Sequence, residues 1–160
     1  MAEGVIIKTD FGSIKFTLLP DLAPETVRNF SKLVKSGFYN GILFHRVIPG
    51  FMIQGGDPNT KNPDKSMWGQ GGPGYNLKAE FSSRSHLRGI VSMARAADPD
   101  SAGSQFFIVT SDSTFLDKQY TVFGEVTEGM DVADKIVNLP RDGNDCPEQE
   151  AKMLEVTTSE

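Results

Sequence analysis

Short runs of β-branched and aromatic residues, bounded by glycine, proline, asparagine or aspartate, recur along most of this 160-residue chain. The run at 14–18 shows the pattern clearly, because isoleucine, phenylalanine and leucine alternate there with lysine and threonine. Successive side chains of a strand point to opposite faces, so this alternation predicts a strand with one face on a core and the other in water. The repeated runs predict a mainly β fold.

Strands are predicted at 5–9, 14–18, 90–94, 106–110, 121–126 and 152–157, with a further strand region after Gly41. Helical spacing of apolar residues replaces this pattern twice. It appears after Pro24, at positions 27, 30, 33 and 34, and before Pro140, at positions 132, 136 and 139. Proline suits the first turn of a helix and glycine its end, so the first helix is predicted to begin at Pro24 and to stop near Gly37. The glycine- and proline-rich stretch 59–75 is predicted as a long loop.

Length, charge and hydropathy restrict the classes of function. A net charge of −5 with scattered lysine and arginine argues against nucleic acid as a partner, because non-specific affinity for it depends on clustered cations. No apolar run approaches the roughly 20 residues of a membrane-spanning helix, so no membrane partner is expected. The first residues lack the pattern of a secretory signal, which predicts a cytoplasmic protein. We expect one domain over residues 1–160 and, without heptads or an exposed apolar stripe, a monomer.

Cys146 is the single cysteine, which excludes an internal disulfide and a multi-cysteine zinc site. The only other soft ligands are two histidines without helical spacing, so no metal is expected. Cys146 is predicted to be a semi-exposed loop thiol, because no neighbouring cation or histidine lowers its pKa.

Three short sequence features do not support the functions with which such features are associated. Gly69-x-Gly71-x-x-Gly74 has the dinucleotide-binding spacing, but it contains Pro73, and neither a strong apolar strand before it nor a helical pattern after it is present. Ser104 lacks the Gly-x-Ser-x-Gly context of a hydrolase nucleophile. The glycosylation acceptor at 29–31 lies within the first predicted helix.

The segment 44–57, FHRVIPGFMIQGGD, places one arginine among large apolar residues. Arg46 stays charged at physiological pH, so a position against Phe51 and Met52 is unfavourable unless the guanidinium is paired, stacked or reserved for a substrate group. The segment 103–108, GSQFFI, again sets an amide beside aromatic residues, and the small residues of 92–96 suit the floor of a groove.

Taken together, these segments resemble the cyclophilins, the cyclosporin-binding family of peptidyl-prolyl isomerases, in order and approximate spacing over essentially the whole chain. The resemblance implies a closed, eight-stranded antiparallel β-barrel capped by two α-helices. It also implies an isomerase that acts on X–Pro bonds and assists protein folding, with proline-containing peptides and unfolded or flexible protein segments as partners. No cofactor is expected, because neither electrons nor phosphoryl groups move in that reaction.

The residues suit the chemistry of prolyl isomerisation. Rotation about an X–Pro bond has a barrier of roughly 18–20 kcal/mol because it destroys amide resonance, but no covalent bond breaks. A dry socket for the ring and a donor near the twisted amide are therefore sufficient. The predicted socket consists of Phe51, Met52, Phe107 and Leu116. Arg46 is predicted to donate to the prolyl nitrogen or to orient the neighbouring carbonyl, and Gln54 to hold the substrate backbone and position the guanidinium.

The resemblance assigns the same positions to the active site, with Arg46, Phe51 and Gln54 as catalytic residues. It adds a set of lining residues, which are Ala94, Arg95, Gln105, Phe115 and Tyr120. It places Ala96, Gln70 and Gly71 at a neighbouring pocket that accepts the residues before proline. His45 is predicted to point away from Arg46 and to be structural, and His86 is assigned to a loop.

Three positions depart from the best-known members of the family. Phe115 stands where cyclosporin-sensitive members carry tryptophan, and the missing indole N–H predicts reduced affinity for cyclosporin. Tyr120 stands in place of a histidine at the pocket edge, and Arg95 in place of an asparagine. Both are expected to alter sequence preference, Arg95 in favour of acidic residues.

A proline-peptide binding module, or a chaperone-like adaptor with little turnover, is the alternative from another class. Aromatic walls alone can hold a proline ring, so such a module does not need Arg46. The arginine therefore favours the enzyme. A structural barrel without a ligand is a third interpretation.

Overall fold

A computed structural model describes residues 3–159. The strands are β1 (Gly4–Thr9), β2 (Gly12–Leu18), β3 (Phe44–Ile48), β4 (Met52–Gly55), β5 (Ile90–Met93), β6 (Phe106–Val109), β7 (Val122–Glu128) and β8 (Met153–Ser159). The helices are α1 (Pro24–Lys35) and α2 (Met130–Val137), and 3₁₀ turns lie at Pro58–Lys61, Lys65–Met67 and Thr114–Leu116. Neither α1 nor α2 is long and apolar enough to cross a membrane.

The eight strands form one antiparallel sheet in the order β3-β4-β6-β5-β7-β2-β1-β8. The edge strands β3 and β8 are not joined by a regular ladder; an isolated bridge between Leu43 and Lys152 connects them instead. The Gly41 N–H also donates to the Met153 carbonyl at 2.7 Å. The predicted eight-stranded antiparallel barrel with two helices is confirmed, but "closed" is too strong. The backbone hydrogen bonds between these two edges join residues 41–44 to residues 151–153.

The two helices lie close to their predicted positions. Helix α1 begins at Pro24 and ends at Lys35, and the N–H groups of Gly37 and Phe38 bond carbonyls of its last turn at 3.0 and 3.1 Å. This ending requires a positive φ, and Gly37 has a φ of +80°. Helix α2 stops before the predicted Leu139, since the residue before a proline is disfavoured in helical conformation.

The apolar side chains form two clusters on opposite faces of the sheet. The larger cluster lies under the helices, where the Phe30 ring packs against Phe16, Phe106 and Phe123 with centroids 5.8, 5.3 and 4.9 Å away. The smaller cluster consists of Met52, Ile90, Phe107, Val109, Leu116 and Val122. Alternation along β6 divides its residues between the two clusters, so the smaller cluster forms a second hydrophobic layer outside the sheet.

Candidate active site

The strand register sets four polar and aromatic side chains in one row across the sheet. Arg46 of β3 pairs with Gln54 of β4, Gln54 pairs with Phe107 of β6, and Phe107 pairs with Ser92 of β5. Directly opposed residues on neighbouring strands share a face, with Cβ atoms about 5 Å apart. The smaller hydrophobic cluster lies on this same face.

A β-bulge in β3 directs Arg46 to that face. Phe44 pairs with Gly55 and Arg46 with Gln54, so His45 is an extra residue without a partner in β4. In a regular strand, residues 44 and 46 would share a face. The bulge places Phe44 in the larger core and leaves Arg46 exposed.

The unfavourable burial of Arg46 that the sequence suggested does not arise, because its side chain lies on the exposed side of the strand. One guanidinium nitrogen, Nη1, donates to Gln54 Oε1 at 3.3 Å. No other hydrogen bond of the Arg46 guanidinium is present within residues 3–159. Most of its donors therefore remain free for a ligand.

Side-chain amides continue this hydrogen bond into a relay. Gln54 Nε2 donates to Gln105 Oε1 at 3.0 Å, and Gln105 Nε2 donates to the carbonyls of Gly69 and Gly71 at 3.1 and 3.0 Å. Every amide in the relay accepts on one side and donates on the other, so the orientation of each amide fixes that of the next. The relay connects Arg46 to the backbone of the long loop.

A cavity of about 110 Å³ lies beside Arg46. A water molecule occupies about 30 Å³ of liquid, so the cavity has room for a group of a few heavy atoms, such as a proline ring. It is lined by the three residues predicted to be catalytic, Arg46, Phe51 and Gln54. The other lining residues were all predicted to bind substrate, and they are Met52, Ala94, Arg95, Phe107, Leu116 and Tyr120.

A second cavity of about 510 Å³ adjoins the first and shares Gln54, Ala94 and Arg95 with it. The predicted residues Ala96, Gln105, Gln70 and Gly71 line this larger cavity. Sequence reasoning missed the other residues that line it, which are Gly69, residues 72–76, Ser101, Gly103 and Ser104. The available signal was the length and glycine content of the loop, since long loops without regular structure are commonly functional.

A family model described as cyclophilin type peptidyl-prolyl cis-trans isomerase matches residues 4–158. The chain belongs to this family. A probable peptidyl-prolyl cis-trans isomerase of Brucella suis is 47% identical over 158 residues, which cover 96% of this chain and 81% of the relative. The peptidyl-prolyl cis-trans isomerase B of Bacillus subtilis is 45% identical over 140 residues, covering 86% of this chain and 92% of that protein.

Solved structures agree with this membership. The crystal structure of a cyclophilin type peptidyl-prolyl cis-trans isomerase of Cryptosporidium parvum has a TM-score of 0.91 and 34% identity, and covers 100% of this chain and 99% of that one. A structure of the same protein in the presence of the dipeptide Ala-Pro has a TM-score of 0.89 and 34% identity, covering 98% and 99% of the two chains. The cyclophilin fold and the family predicted from sequence are therefore confirmed.

Phe115 is the one predicted site residue of this cyclophilin that lines neither cavity. Its side chain is 66% exposed, and its ring centroid lies 5.4 Å from that of Phe51, which lines the smaller cavity. Phe115 thus stands at the rim, where a ligand larger than the cavity would meet it.

His86, assigned from sequence to a loop without a role, is completely buried beneath the smaller cavity of the cyclophilin. Its Nδ1 lies 3.1 Å from Asp117 Oδ1 and its Nε2 lies 3.0 Å from Ser92 Oγ. The ring stacks on Phe107 with a centroid distance of 6.1 Å and an interplanar angle of 18°. Burial lowers the pKa of His86, although the Asp117 carboxylate opposes that shift. No periodicity marks this arrangement, because the residues come from three separate segments.

The arrangement of Ser92, His86 and Asp117 has the order of a hydrolase triad but cannot act on a substrate. Ser92 is 0% exposed, and its hydroxyl also lies 3.0 Å from the Thr121 carbonyl. A nucleophile must reach a substrate atom, which a fully enclosed hydroxyl does not. The network instead supports the underside of Phe107 in the cyclophilin pocket.

Cys146 is buried, with 8% of its surface exposed, so the prediction of a semi-exposed thiol is wrong. The loop that carries it folds onto β3, where the Val47 N–H donates to the Asp145 carbonyl at 2.7 Å. The Cys146 N–H donates to the Asp142 carboxylate at 3.1 Å. Burial raises the pKa of the Cys146 thiol, which makes it less nucleophilic.

Proposed function

We propose that this cyclophilin accelerates cis–trans rotation about X–Pro bonds with the proline ring in the smaller cavity and Arg46 beside the rotating amide. The family and the names of its relatives support the isomerase activity. The observation that carries the residue assignment is the row of Arg46, Gln54 and Phe107 across three adjacent strands. This row sets a cation, an amide and an aromatic ring around a cavity of about 110 Å³.

Arg46 supplies the interaction that favours the transition state. When the X–Pro amide twists, its nitrogen regains a basic lone pair because resonance is lost. A guanidinium N–H that donates to this nitrogen binds the twisted amide more strongly than the planar one, and such differential binding lowers the barrier. The hydrogen bond from Arg46 Nη1 to Gln54 holds the guanidinium in place, and its other N–H groups stay available for the substrate.

Phe51, Met52, Phe107 and Leu116 hold the ring by apolar contact. The larger cavity takes the residues that precede proline, next to the backbone of the loop at 69–76. The Cryptosporidium parvum structure in the presence of Ala-Pro supports proline-containing peptides as the ligand class. Flexible protein segments that present such a peptide are the corresponding protein partners. A cytoplasmic location, a monomeric state and reduced cyclosporin affinity through Phe115 stay predictions.

The test is NMR exchange between the cis and trans forms of a short X–Pro peptide with a catalytic amount of protein. Removal of one preorganised donor costs about 10²- to 10³-fold in other enzymes, so Arg46→Ala should lower kcat/KM by about 100-fold or more. Arg46→Lys keeps the charge but loses the planar fork, so it should retain more activity than Arg46→Ala. Arg28→Ala, on the exposed face of α1, is the matched control and should leave exchange unchanged.

Each outcome decides between named functions. Full activity in a folded Arg46→Ala variant would remove Arg46 from the mechanism. Peptide binding by the wild type without accelerated exchange would replace the enzyme by a proline-peptide binding module. The amide chemical shifts of each variant show whether it is folded.

A further inference from the structure

Arg95 stands where the two cavities meet, and its side chain is held in a fixed position. Its Nε donates to the Gln119 carbonyl at 2.9 Å, and its Nη1 donates to the Ala96 and Ala97 carbonyls at 3.0 and 3.3 Å. The guanidinium carbon lies 4.7 Å from the centre of the Tyr120 ring. The cation thus bridges the segment after β5 and the segment before β7, which border the groove on one side.

The hydrogen bonds of Arg95 leave some of the N–H groups of its guanidinium without a partner in the described residues. An arginine has five N–H donors, and those of Nη2 make no hydrogen bond within residues 3–159. A carboxylate oxygen can accept a charge-assisted hydrogen bond from Nη2, and such a bond is stronger than one to a neutral acceptor. Because backbone carbonyls and Tyr120 already hold the side chain, a ligand that binds it loses little additional side-chain entropy.

Arg95 has no acidic partner in the part of the chain described. The ion pairs within residues 3–159 involve other cations, and none includes Arg95 or Arg46. The nearest acidic residues in sequence, Asp98 and Asp100, bind backbone N–H groups of Asp100 and Ala79 at 2.9 Å each.

The linings of both cavities have the same electrostatic character. Arg46 and Arg95 are the ionised side chains among the described lining residues, and no aspartate, glutamate or lysine accompanies them. The chain as a whole has a net charge of −5. The groove is therefore a cationic site on an acidic protein, and such a site attracts anionic ligands and repels cationic ones.

We propose that Arg95 selects proline peptides that carry an acidic side chain at one of the two positions before proline. The inference rests on the proposed function, because it takes the proline ring to occupy the smaller cavity. An acidic residue directly before proline, or one position earlier, then lies at the junction of the two cavities, beside the unused donors of Arg95. A glutamine there can bind the same donors without the charge, and a lysine is repelled.

The experiment compares peptides that differ only at those two positions, with glutamate, glutamine or lysine in each. The readout is the ratio of kcat/KM for the glutamate and glutamine peptides, measured by NMR exchange. A partly exposed charge pair contributes up to about 1 kcal/mol, so the wild-type ratio should be about threefold to fivefold at the preferred position and should fall with added salt. Lysine peptides should be the slowest.

Two variants assign the preference to Arg95. In Arg95→Gln the glutamate-to-glutamine ratio should approach one, and in Arg95→Glu the order of glutamate and lysine peptides should reverse. The ratio is taken within each variant, so a change in overall activity does not affect it. Arg28→Gln, which makes the same change of net charge on α1, should keep the wild-type ratio.

The outcomes separate this inference from the proposed function. Exchange that is fast for every peptide, with a wild-type ratio of one at both positions, would overturn the role of Arg95 and leave the isomerase intact. A preference that survives in Arg95→Gln would also overturn it. If no peptide exchanges faster, the isomerase proposal fails, and NMR titration of the same peptides then decides whether binding depends on Arg95.

Discussion

The two cavities of the groove are built in different ways. The smaller one is walled by side chains of β3, β4 and β6 and of the segments that flank β4, β5 and β7, and residues such as Met52 and Phe107 also pack in the second hydrophobic cluster. The larger one is bordered by the loop at 69–76, much of it glycine, and by the turn at 101–105. One cavity is therefore shaped by packed side chains, and the other by backbone.

The difference suggests a division of tasks between the cavities. Packed side chains hold a fixed shape, which suits a ring of one size in every substrate. A glycine-rich loop has few side chains to exclude those of a ligand, which suits the variable residues before proline. The amide relay from Arg46 through Gln54 and Gln105 to the loop fixes the position of the larger cavity relative to the smaller one.

Among changes to the walls of the two cavities, substitution of Phe107 should have the largest effect, and this effect should not depend on the residues that precede proline. Phe107 is 5% exposed, and its ring meets that of Tyr120 edge to face at 5.7 Å. Phe107→Leu removes the flat wall of the smaller cavity. We expect a loss in kcat/KM of about 10- to 100-fold, equal for a minimal Ala-Pro substrate and for longer peptides. The same NMR exchange assay measures both.

The control for Phe107→Leu is Phe16→Leu in the larger core. Both rings are buried, and each substitution should lower the free energy of unfolding by about 1–2 kcal/mol. Only Phe107→Leu should reduce exchange. An equal loss of activity in Phe16→Leu would show that general stability, and not the cavity wall, limits catalysis.

Substitution of Gly71 should have a smaller effect that does depend on peptide length. A Cβ at this position would lie 2.1 Å from Asp57 Oδ1, and the buried Asp57 carboxylate holds the loop by accepting the N–H groups of Asn59 and Gly69. Gly71→Ala therefore displaces the loop. We expect a loss in kcat/KM of about tenfold for peptides with several residues before proline, and a smaller loss for Ala-Pro.

Gly143 offers a control that lines neither cavity. A Cβ there would have no heavy atom within 4 Å, and Gly143 does not have a positive φ. Gly143→Ala should therefore leave exchange unchanged with both peptides. Equal losses in Gly71→Ala for short and long peptides would contradict the division between the cavities and would indicate that the loop acts through the amide relay.

The two cavities also differ in how far the sequence predicted them. Every residue that lines the smaller cavity was predicted, some from residue type in the segments FHR and FMIQGG and others, such as Ala94, Arg95 and Tyr120, only from the family resemblance. Strand alternation alone would not have placed Arg46 on the cavity face, because that placement depends on the bulge at His45. Residues 73–76 of the larger cavity were missed. Their positions depend on tertiary contacts of a loop, such as those of Asp57 with Gly69 and of Gln105 with Gly71, and a single sequence carries no periodic signal for such contacts.

Two further features of the structure were not predicted from the sequence, because they too depend on contacts between distant segments. Between β3 and β8 only an isolated bridge forms within residues 3–159, and hydropathy alternation does not report the length of a ladder across the sheet. The contact of His86 with Asp117 joins residues 31 positions apart in irregular segments. In both cases local sequence patterns indicate the fold class, but they do not show which distant residue a given residue contacts.

Acidification should destabilise the protein through its buried histidines, one of which, His86, supports Phe107 in the smaller cavity. We expect this effect to be smaller than those of Phe107→Leu and Gly71→Ala. Burial lowers the pKa of His86, against the opposing effect of Asp117. Burial also lowers the pKa of His45; there the Arg46 charge adds to the shift, and Asp57 opposes it. Both side chains are thus favoured as neutral imidazoles in the folded state, whereas in the unfolded chain they take up protons near pH 6.5.

The direction in which stability changes with pH follows from proton binding, because below about pH 6.5 the unfolded state holds more protons than the folded state. The free energy of unfolding should therefore fall as pH decreases from about 7 towards 5, by at most about 1.4 kcal/mol per pH unit for each histidine. The lowered pKa of the Asp117 carboxyl adds a separate loss at lower pH, which begins as the pH falls through the ordinary aspartate range. Urea denaturation between pH 7 and 5 measures the fall, and an NMR titration of the imidazole signals assigns it. A His86 pKa at or above 6.5 in the folded protein would show that His86 does not contribute, and Phe107 would then rest on a ring that is charged in mild acid.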